Sequence, residues 1–318
     1  MNLYPFFKED KILITGASGL VGRNLFELLQ NQKLNVVGTY HTKNIDGLTY
    51  CDLTDLQQVK NIVKDVKYIF LLAAKTYGAE VMKNNPSALV TDTVSMNTNV
   101  LDAVKGTKIK KIMFVSSSVV YQDSFKPLAE DDLDLNKNPY SLYMGVGWVK
   151  RYLEKICEFY SQLGLPINIV RPTSIYGKYD KYEEGKSHFV PAIIKRVLEK
   201  QDPLIIWGTG KDIKSLIYID DFLRDILKIF MSYDGVDAFN LCADQLITVN
   251  DVVQTILKKT NYNINPIYDI TKPGSISYKS LVRNKLDSIL GKEPYISFED
   301  GISNVIDWMK TELENKNA

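Results

Sequence analysis

The chain has 318 residues, with 39 lysines and arginines against 38 aspartates and glutamates, a net charge of +1. That near-balance argues against a nucleic-acid-binding protein, which carries a basic excess, while 45% hydrophobic residues can bury the core of one large or two modest domains. Cys51, Cys157 and Cys242 are odd in number and widely spaced, so neither a disulfide framework nor a metal site is expected, and reduced thiols suit a cytoplasmic protein.

The first eleven residues carry acids and a proline and no apolar stretch, unlike a secretory leader. No apolar run approaches the ~18 residues that span a bilayer, so no membrane partner is expected. Lys11–Thr15 reads as a buried strand, Leu20–Asn31 as a helix with Leu25, Leu28 and Leu29 at helical spacing, and Asn35–Thr39 as a second strand. Asp55–Asp65 reads as a helix with Leu56, Val59, Ile62 and Val63 on one face, Tyr68–Leu72 as a third strand and Ser87–Val104 as a long helix. Ile112–Ser116 is a fourth strand, Tyr140–Leu163 a second long helix and Ile167–Val170 a fifth strand. This alternation predicts an α/β fold, a doubly wound parallel Rossmann sheet with helices on both faces. After Pro172 come a loop rich in Gly, Lys and Tyr, a helix near Val190–Lys200, an extended Leu204–Trp207, a strand Leu216–Ile219 and a helix Asp220–Tyr233. The expected division is a first domain of residues 1–172 plus 216–242, interleaved with a smaller mixed α/β lobe of residues 173–215 plus 243–318.

Between the first strand and first helix stands Thr15-Gly16-Ala17-Ser18-Gly19-Leu20-Val21-Gly22. In such a turn Gly16 permits the tight bend, Gly19 lets the backbone approach a pyrophosphate, and Gly22 lets helix and strand pack closely. The backbone of Ser18, Leu20 and Val21 then offers N–H groups and a partial positive charge to phosphates. The second strand ends in Tyr40-His41-Thr42-Lys43, without the acid that binds the ribose 2′-hydroxyl of NAD. His41 and Lys43 tolerate a 2′-phosphate, which favours NADP and leaves NAD possible. Asp52, in Cys51-Asp52-Leu53, is placed either to accept from an adenine amino group or to cap the helix beginning near Asp55.

Further segments are Leu72-Ala73-Ala74-Lys75, Ser116-Ser117-Ser118-Val119-Val120-Tyr121, Asn138-Pro139-Tyr140, Arg171-Pro172-Thr173-Ser174-Ile175-Tyr176-Gly177, Ser187-His188-Phe189-Val190-Pro191-Ala192 and Trp207-Gly208-Thr209-Gly210. With these the chain resembles the extended short-chain dehydrogenase/reductase (NAD-dependent epimerase/dehydratase) family over nearly its whole length, and within it most resembles the GDP-L-fucose synthases, GDP-4-keto-6-deoxymannose epimerase/reductases. The resemblance implies a nucleotide-sugar substrate and a Ser–Tyr–Lys hydride site, with Ser117 as the Ser and Tyr140 as the Tyr. It also implies cofactor contacts from Leu53, Ala73, Ala74, Tyr140, Pro172 and Thr173, and sugar-nucleotide contacts from Lys75, Ser118, Ser174, His188, Val190, Trp207 and Lys214. A homodimer through the two long helices is implied as well.

Three positions depart from the family pattern. The Lys position is Met144, which helical spacing would put on the same face as Tyr140. A phenol titrating near ~10 is a poor base without a cation beside it, although it can still donate a proton. No other register restores the lysine, since Lys150 follows Tyr140 by ten residues and points away; Lys75 is a candidate substitute. The family's epimerase Cys is Val119 here, while its His partner is kept as His188. The Arg after the WGxG segment is Lys214, which keeps charge but not the bidentate fork. Reduction of a 4-keto sugar at C4 without C3/C5 epimerisation is the expected reaction. The alternatives are a 4-epimerase or dehydratase and, in another class, a dinucleotide-binding protein that no longer catalyses.

Overall fold

The computed structural model describes residues 1–76, 85–183, 187–272 and 278–317; part of the loop expected after Pro172, residues 184–186, lies outside them. A short α1 (Tyr4–Phe7) leads into β1 (Lys11–Thr15), α2 (Leu20–Asn31), β2 (Val36–Tyr40), a two-residue β3 (Thr49–Tyr50) and α3 (Leu56–Ile62). There follow β4 (Val66–Leu71), α4 (Thr91–Ala103), β5 (Lys111–Val115), α5 (Met144–Gln162) and β6 (Ile167–Pro172). The second half adds β7 (Ser174–Tyr176), α6 (Phe189–Leu198), β8 (Ile205–Trp207), β9 (Ile213–Tyr218), α7 (Ile219–Ser232) and β10 (Ala238–Leu241). It ends with β11 (Leu246–Thr248), α8 (Val249–Thr260), β12 (Ile267–Asp269), α9 (Asn284–Leu290) and α10 (Phe298–Asn317).

Seven strands form one sheet in the order β10-β6-β5-β4-β1-β2-β3, and each of its pairings is parallel. Alternation of side chains sorts the core onto two faces. Leu13, Ile69, Leu71, Ile112, Phe114 and Ile167 pack with Val59 of α3, Leu101 of α4 and Leu153 of α5. Ile12, Ile14, Phe70, Met113 and Val170 pack with Leu25 and Leu29 of α2 and with Phe222 and Phe230 of α7. Burial on both faces is why these strands read as continuous apolar runs. Winding reverses between β1 and β4, so the crevice beyond their carboxyl ends is where a doubly wound sheet binds its ligand. Two small sheets lie apart from the large one: β11-β9-β7 and β12-β8.

Two expectations are corrected. Tyr140 is not helical: its φ of −49° and ψ of 137° are extended, a 3-10 turn covers Ser141–Tyr143, and α5 begins only at Met144. Pro139 is held in an antiparallel bridge with Gln122, which keeps the chain extended up to Tyr140. The helix at 56 is capped by Asp55, whose carboxylate accepts from the N–H groups of Gln57 and Gln58; Asp52 instead accepts from Thr54 N–H and Oγ1–H at 2.9 and 2.7 Å. No helix among the described residues is long and apolar enough to cross a membrane.

Candidate active site

The crevice is built from the first turn. Gly16 has a φ of +68°, and a Cβ there would meet the Ala73 Cα at 3.0 Å, so only glycine fits both the backbone and the space. Thr15 Oγ1 accepts from the N–H groups of Leu72 and Ala73 at 3.0 and 3.1 Å, which ties the end of β1 to the chain leaving β4. A Cβ on Gly22 would lie 2.7 Å from Ala17 Cα, so α2 rests directly on the turn. Gly19 caps α2 without a side-chain hydrogen bond, leaving Leu20, Val21 and Gly22 to present N–H groups with Ser18 beside them. That cradle fits a pyrophosphate.

At the adenosine end the Tyr40 and Tyr50 rings are 5.8 Å apart and the His41 ring lies 6.0 Å from Tyr50. His41 Nε2 stands 3.9 Å from Asp52 Oδ2. The Thr54 hydroxyl and N–H hold the Asp52 carboxyl below its ordinary range. Lys43 is exposed, Leu53 and Ala73 are buried, and Ala74 is half-buried.

Beyond β5 the chain makes a 3-10 turn, Ser118–Val120, capped by Ser117, whose Oγ accepts from Val119 N–H at 3.3 Å. The buried hydroxyl of Ser118 has no protein partner. Ser118, Val119, Tyr140, Tyr143 and Lys279 line one cleft open to solvent. Helix α5 reaches this turn because residue 147 is glycine: a Cβ there would strike Pro139 Cγ and the Val119 carbonyl oxygen, each at 2.7 Å. Met144, in the expected lysine position, is 39% exposed. Lys150 of α5 is buried and donates to the Val115 carbonyl at 2.8 Å; burial lowers its pKa to about 8. Lys75 lies 3.4 Å from Asp92. The Lys279 ammonium stands 5.3 Å from the Tyr143 ring centroid. Burial, then the charge of Lys214, lowers the Lys279 pKa to about 8, and burial pushes the Tyr143 phenol up to about 12.

His188 does not line that cleft. It stands at the start of α6, with Nδ1 2.6 Å from Oδ1 of the buried Asp180. The segment bearing Asp180 is pinned to the crevice: Asn24 of α2 donates to the Lys178 carbonyl at 2.9 Å, the Arg23 guanidinium lies 3.8 Å from the Tyr179 ring centroid, and Lys181 Nζ donates to the Thr76 carbonyl at 2.9 Å. Thr173 N–H donates to the Leu241 carbonyl at 2.9 Å, which joins the chain after β6 to β10, and its hydroxyl accepts from Ser215 at 3.3 Å. Pro172 and Val190 are buried and Ser174 is exposed. Trp207 is half-exposed, with Lys272 Nζ 5.7 Å from its ring centroid. Lys214 sits 3.6 Å from Asp212, and burial lowers its pKa. Asp180, Gly147 and Lys279 are absent from the residues expected from sequence. Only Asp180 had a usable signal, an acid shortly before a scarce histidine.

Comparison with known proteins fits this geometry. The model of the "NAD dependent epimerase/dehydratase family" matches residues 12–242. GDP-L-fucose synthase 1 of Arabidopsis thaliana is 26% identical over 97% of this chain and 96% of its own length. GDP-L-colitose synthase of Yersinia pseudotuberculosis is 26% identical over 96% of this chain and 99% of its own. The crystal structure of a GDP-L-fucose synthetase from Naegleria fowleri bound to NADP superposes with a TM-score of 0.83 at 23% identity, covering 96% of this chain and 95% of that one.

Proposed function

Because the chain belongs to the NAD dependent epimerase/dehydratase family of enzymes, we propose that it reduces the C4 carbonyl of a GDP-linked 4-keto-6-deoxy sugar with NADPH and leaves C3 and C5 as they are. The observation that carries the reading is the pairing of Tyr140 with Val119 on one cleft: a proton donor is present and the second epimerase group is not. The bound nicotinamide would supply the hydride. Gly16, Ser18, Gly19, Leu20, Val21 and Gly22 would hold its pyrophosphate, and His41 and Lys43 would face the 2′-phosphate. Ser117 would orient the carbonyl and Tyr140 would protonate its oxygen. A phenol without the family's lysine four residues on donates a proton better than it accepts one, so reduction suits Met144 better than oxidation does. Lys214 and Lys279, half-buried cations close enough to depress Lys279, would receive the nucleotide diphosphate.

The division into a dinucleotide domain and a sugar-nucleotide lobe belongs to the same reading, as does a homodimer. Trp148, Tyr152 and Phe159 of α5 and its C-cap Leu163 are all exposed. At 100° per residue they fall within a sector of about 60°, an apolar stripe suited to a second copy. Three buried, unbridged cysteines support a cytoplasmic location.

The test is a panel of GDP-, UDP-, CDP- and dTDP-linked 4-keto sugars assayed with NADPH and NADH. Consumption of NADPH with the GDP-linked substrate supports the reading. Dinucleotide binding without turnover on any member would favour a retired enzyme, the reading that Met144 alone would support.

A further inference from the structure

Resting on the reductase reading above, we propose that Arg151 is the positioning residue that sets the separation of Tyr140 from Ser117. No helix can do this, because Tyr140 stands ahead of α5 in extended backbone. Arg151 is 2% exposed. Its Nε–H donates to the Val120 carbonyl at 2.6 Å and its Nη1–H to the Lys137 carbonyl at 2.5 Å. Val120 closes the 3-10 turn that Ser117 caps, and Lys137 precedes Tyr140 by three residues. One planar guanidinium fork therefore spans the two stretches of chain that bear the site's hydroxyl groups.

The surroundings of Arg151 fit a clasp. Met144, Gly147 and Arg151 follow one another at helical spacing, so Arg151 lies on the face of α5 that Gly147 presses against the turn. The Trp148 indole N–H donates to Asn138 Oδ1 at 3.2 Å, and the Arg151 guanidinium lies 4.7 Å from the Trp148 ring centroid. The same stretch of α5 thus grips two successive residues ahead of Pro139. The turn is fixed from its other end as well: Glu154 pairs with Arg171 at 2.8 Å, and Arg171 donates to the Tyr121 hydroxyl at 2.9 Å. Among the described residues no carboxylate hydrogen-bonds to Arg151; Asp134, Glu154 and Arg171 are the charged groups near it. A guanidinium buried against main-chain carbonyls is costly to desolvate and stabilises little. What it supplies is a fixed span between those carbonyls.

That span matters to the chemistry. Ser117 and Tyr140 act on one carbonyl oxygen, so both hydroxyls must stay within hydrogen-bond reach of a single point. Opening the fork lets Tyr140 drift from that point while the glycine turn and the phosphate-binding lysines keep their places. The loss falls on hydride transfer and not on binding.

The experiment compares full-length wild type, Arg151→Lys and Arg151→Met with NADPH and GDP-4-keto-6-deoxymannose. Lysine keeps the charge but not the fork, so it tests the clasp even where the methionine variant does not fold. Arg151→Lys should lower kcat by about 10- to 100-fold, the loss that a displacement of about 1 Å causes, with KM changed by less than about 2-fold. In a single turnover at saturating substrate the rate constant for NADPH oxidation should fall while its amplitude holds; a merely unstable protein loses amplitude and keeps the rate constant. In the free protein, amide hydrogens of residues 118–121 and 137–143 should exchange faster together in Arg151→Lys, a readout independent of turnover. A wild-type rate constant in Arg151→Lys, a raised KM at unchanged kcat, or unchanged exchange in both segments overturns the clasp. Faster exchange in both segments, with no 4-keto sugar nucleotide reduced by wild type, supports the clasp and overturns the reductase reading.

Discussion

Gly147 lies against Val119 so closely that a Cβ would come within 2.7 Å of the Val119 carbonyl oxygen. The first turns of α5 therefore press on the 3-10 turn that carries Ser117 and Ser118, and Tyr140 enters the cleft from the extended residue just before α5. Gly147→Ala should force these elements apart. The expected cost is about 1–3 kcal/mol, as for overpacking a core, together with a loss of kcat exceeding the change in KM. Thermal unfolding and steady-state kinetics measure the two effects.

Met144 is the departure that bears most directly on catalysis. Because its side chain is partly exposed at the start of α5, lysine can replace it without overpacking. Met144→Lys should raise kcat by about 10- to 100-fold at neutral pH, since a cation there makes the phenol a better acid–base group. The melting temperature should stay nearly unchanged. An unchanged rate would place the hydride site elsewhere.

The two later glycines of the first turn separate packing from binding. At Gly22 an added Cβ collides with backbone, whereas at Gly19 its nearest neighbour would be the Gly16 carbonyl oxygen at 3.4 Å, an ordinary contact. Gly22→Ala should therefore destabilise the fold as well as abolish dinucleotide binding. Gly19→Ala should fold normally and weaken dinucleotide binding by about 10-fold, or ~1.4 kcal/mol. Quenching of protein fluorescence by NADPH and thermal unfolding distinguish the outcomes.

Lys150 links stability to pH. Burial depresses its pKa to about 8 in the folded chain, against 10.5 for the exposed group. Between those values the unfolded chain holds more protons than the folded one, so this lysine makes stability rise with pH over that window. Below about 8 the folded chain carries the full cost of a buried ammonium. Wild type should therefore gain stability relative to Lys150→Met as pH goes from 7.5 to 9.5. Urea unfolding at the two pH values checks the sign.

The large sheet was legible because its strands are buried on both faces and its glycine turn has one physical use. Tyr140 lies outside the helix that its periodicity predicts for a definable reason. Apolar periodicity runs back from α5 through Tyr143 and Tyr140, yet the bridge between Gln122 and Pro139 outweighs it. β3 is two residues long, too short to show a period. Asp180 and Lys279 reach the site through tertiary packing. His188 and Asp180 are eight residues apart, so an acid shortly before a scarce histidine is the one local hint of that contact, whereas Lys279 meets Tyr143 from 136 residues away and no local pattern announces it.

Stereochemistry tests the central claim most directly. GDP-4-keto-6-deoxymannose should be reduced with NADPH by wild type and by Tyr140→Phe, and each product characterised by carbon-13 NMR. The account predicts a C4 alcohol from wild type with C3 and C5 configurations unchanged, and little or none from Tyr140→Phe. A product inverted at C3 or C5, or equal rates from the two proteins, would contradict it.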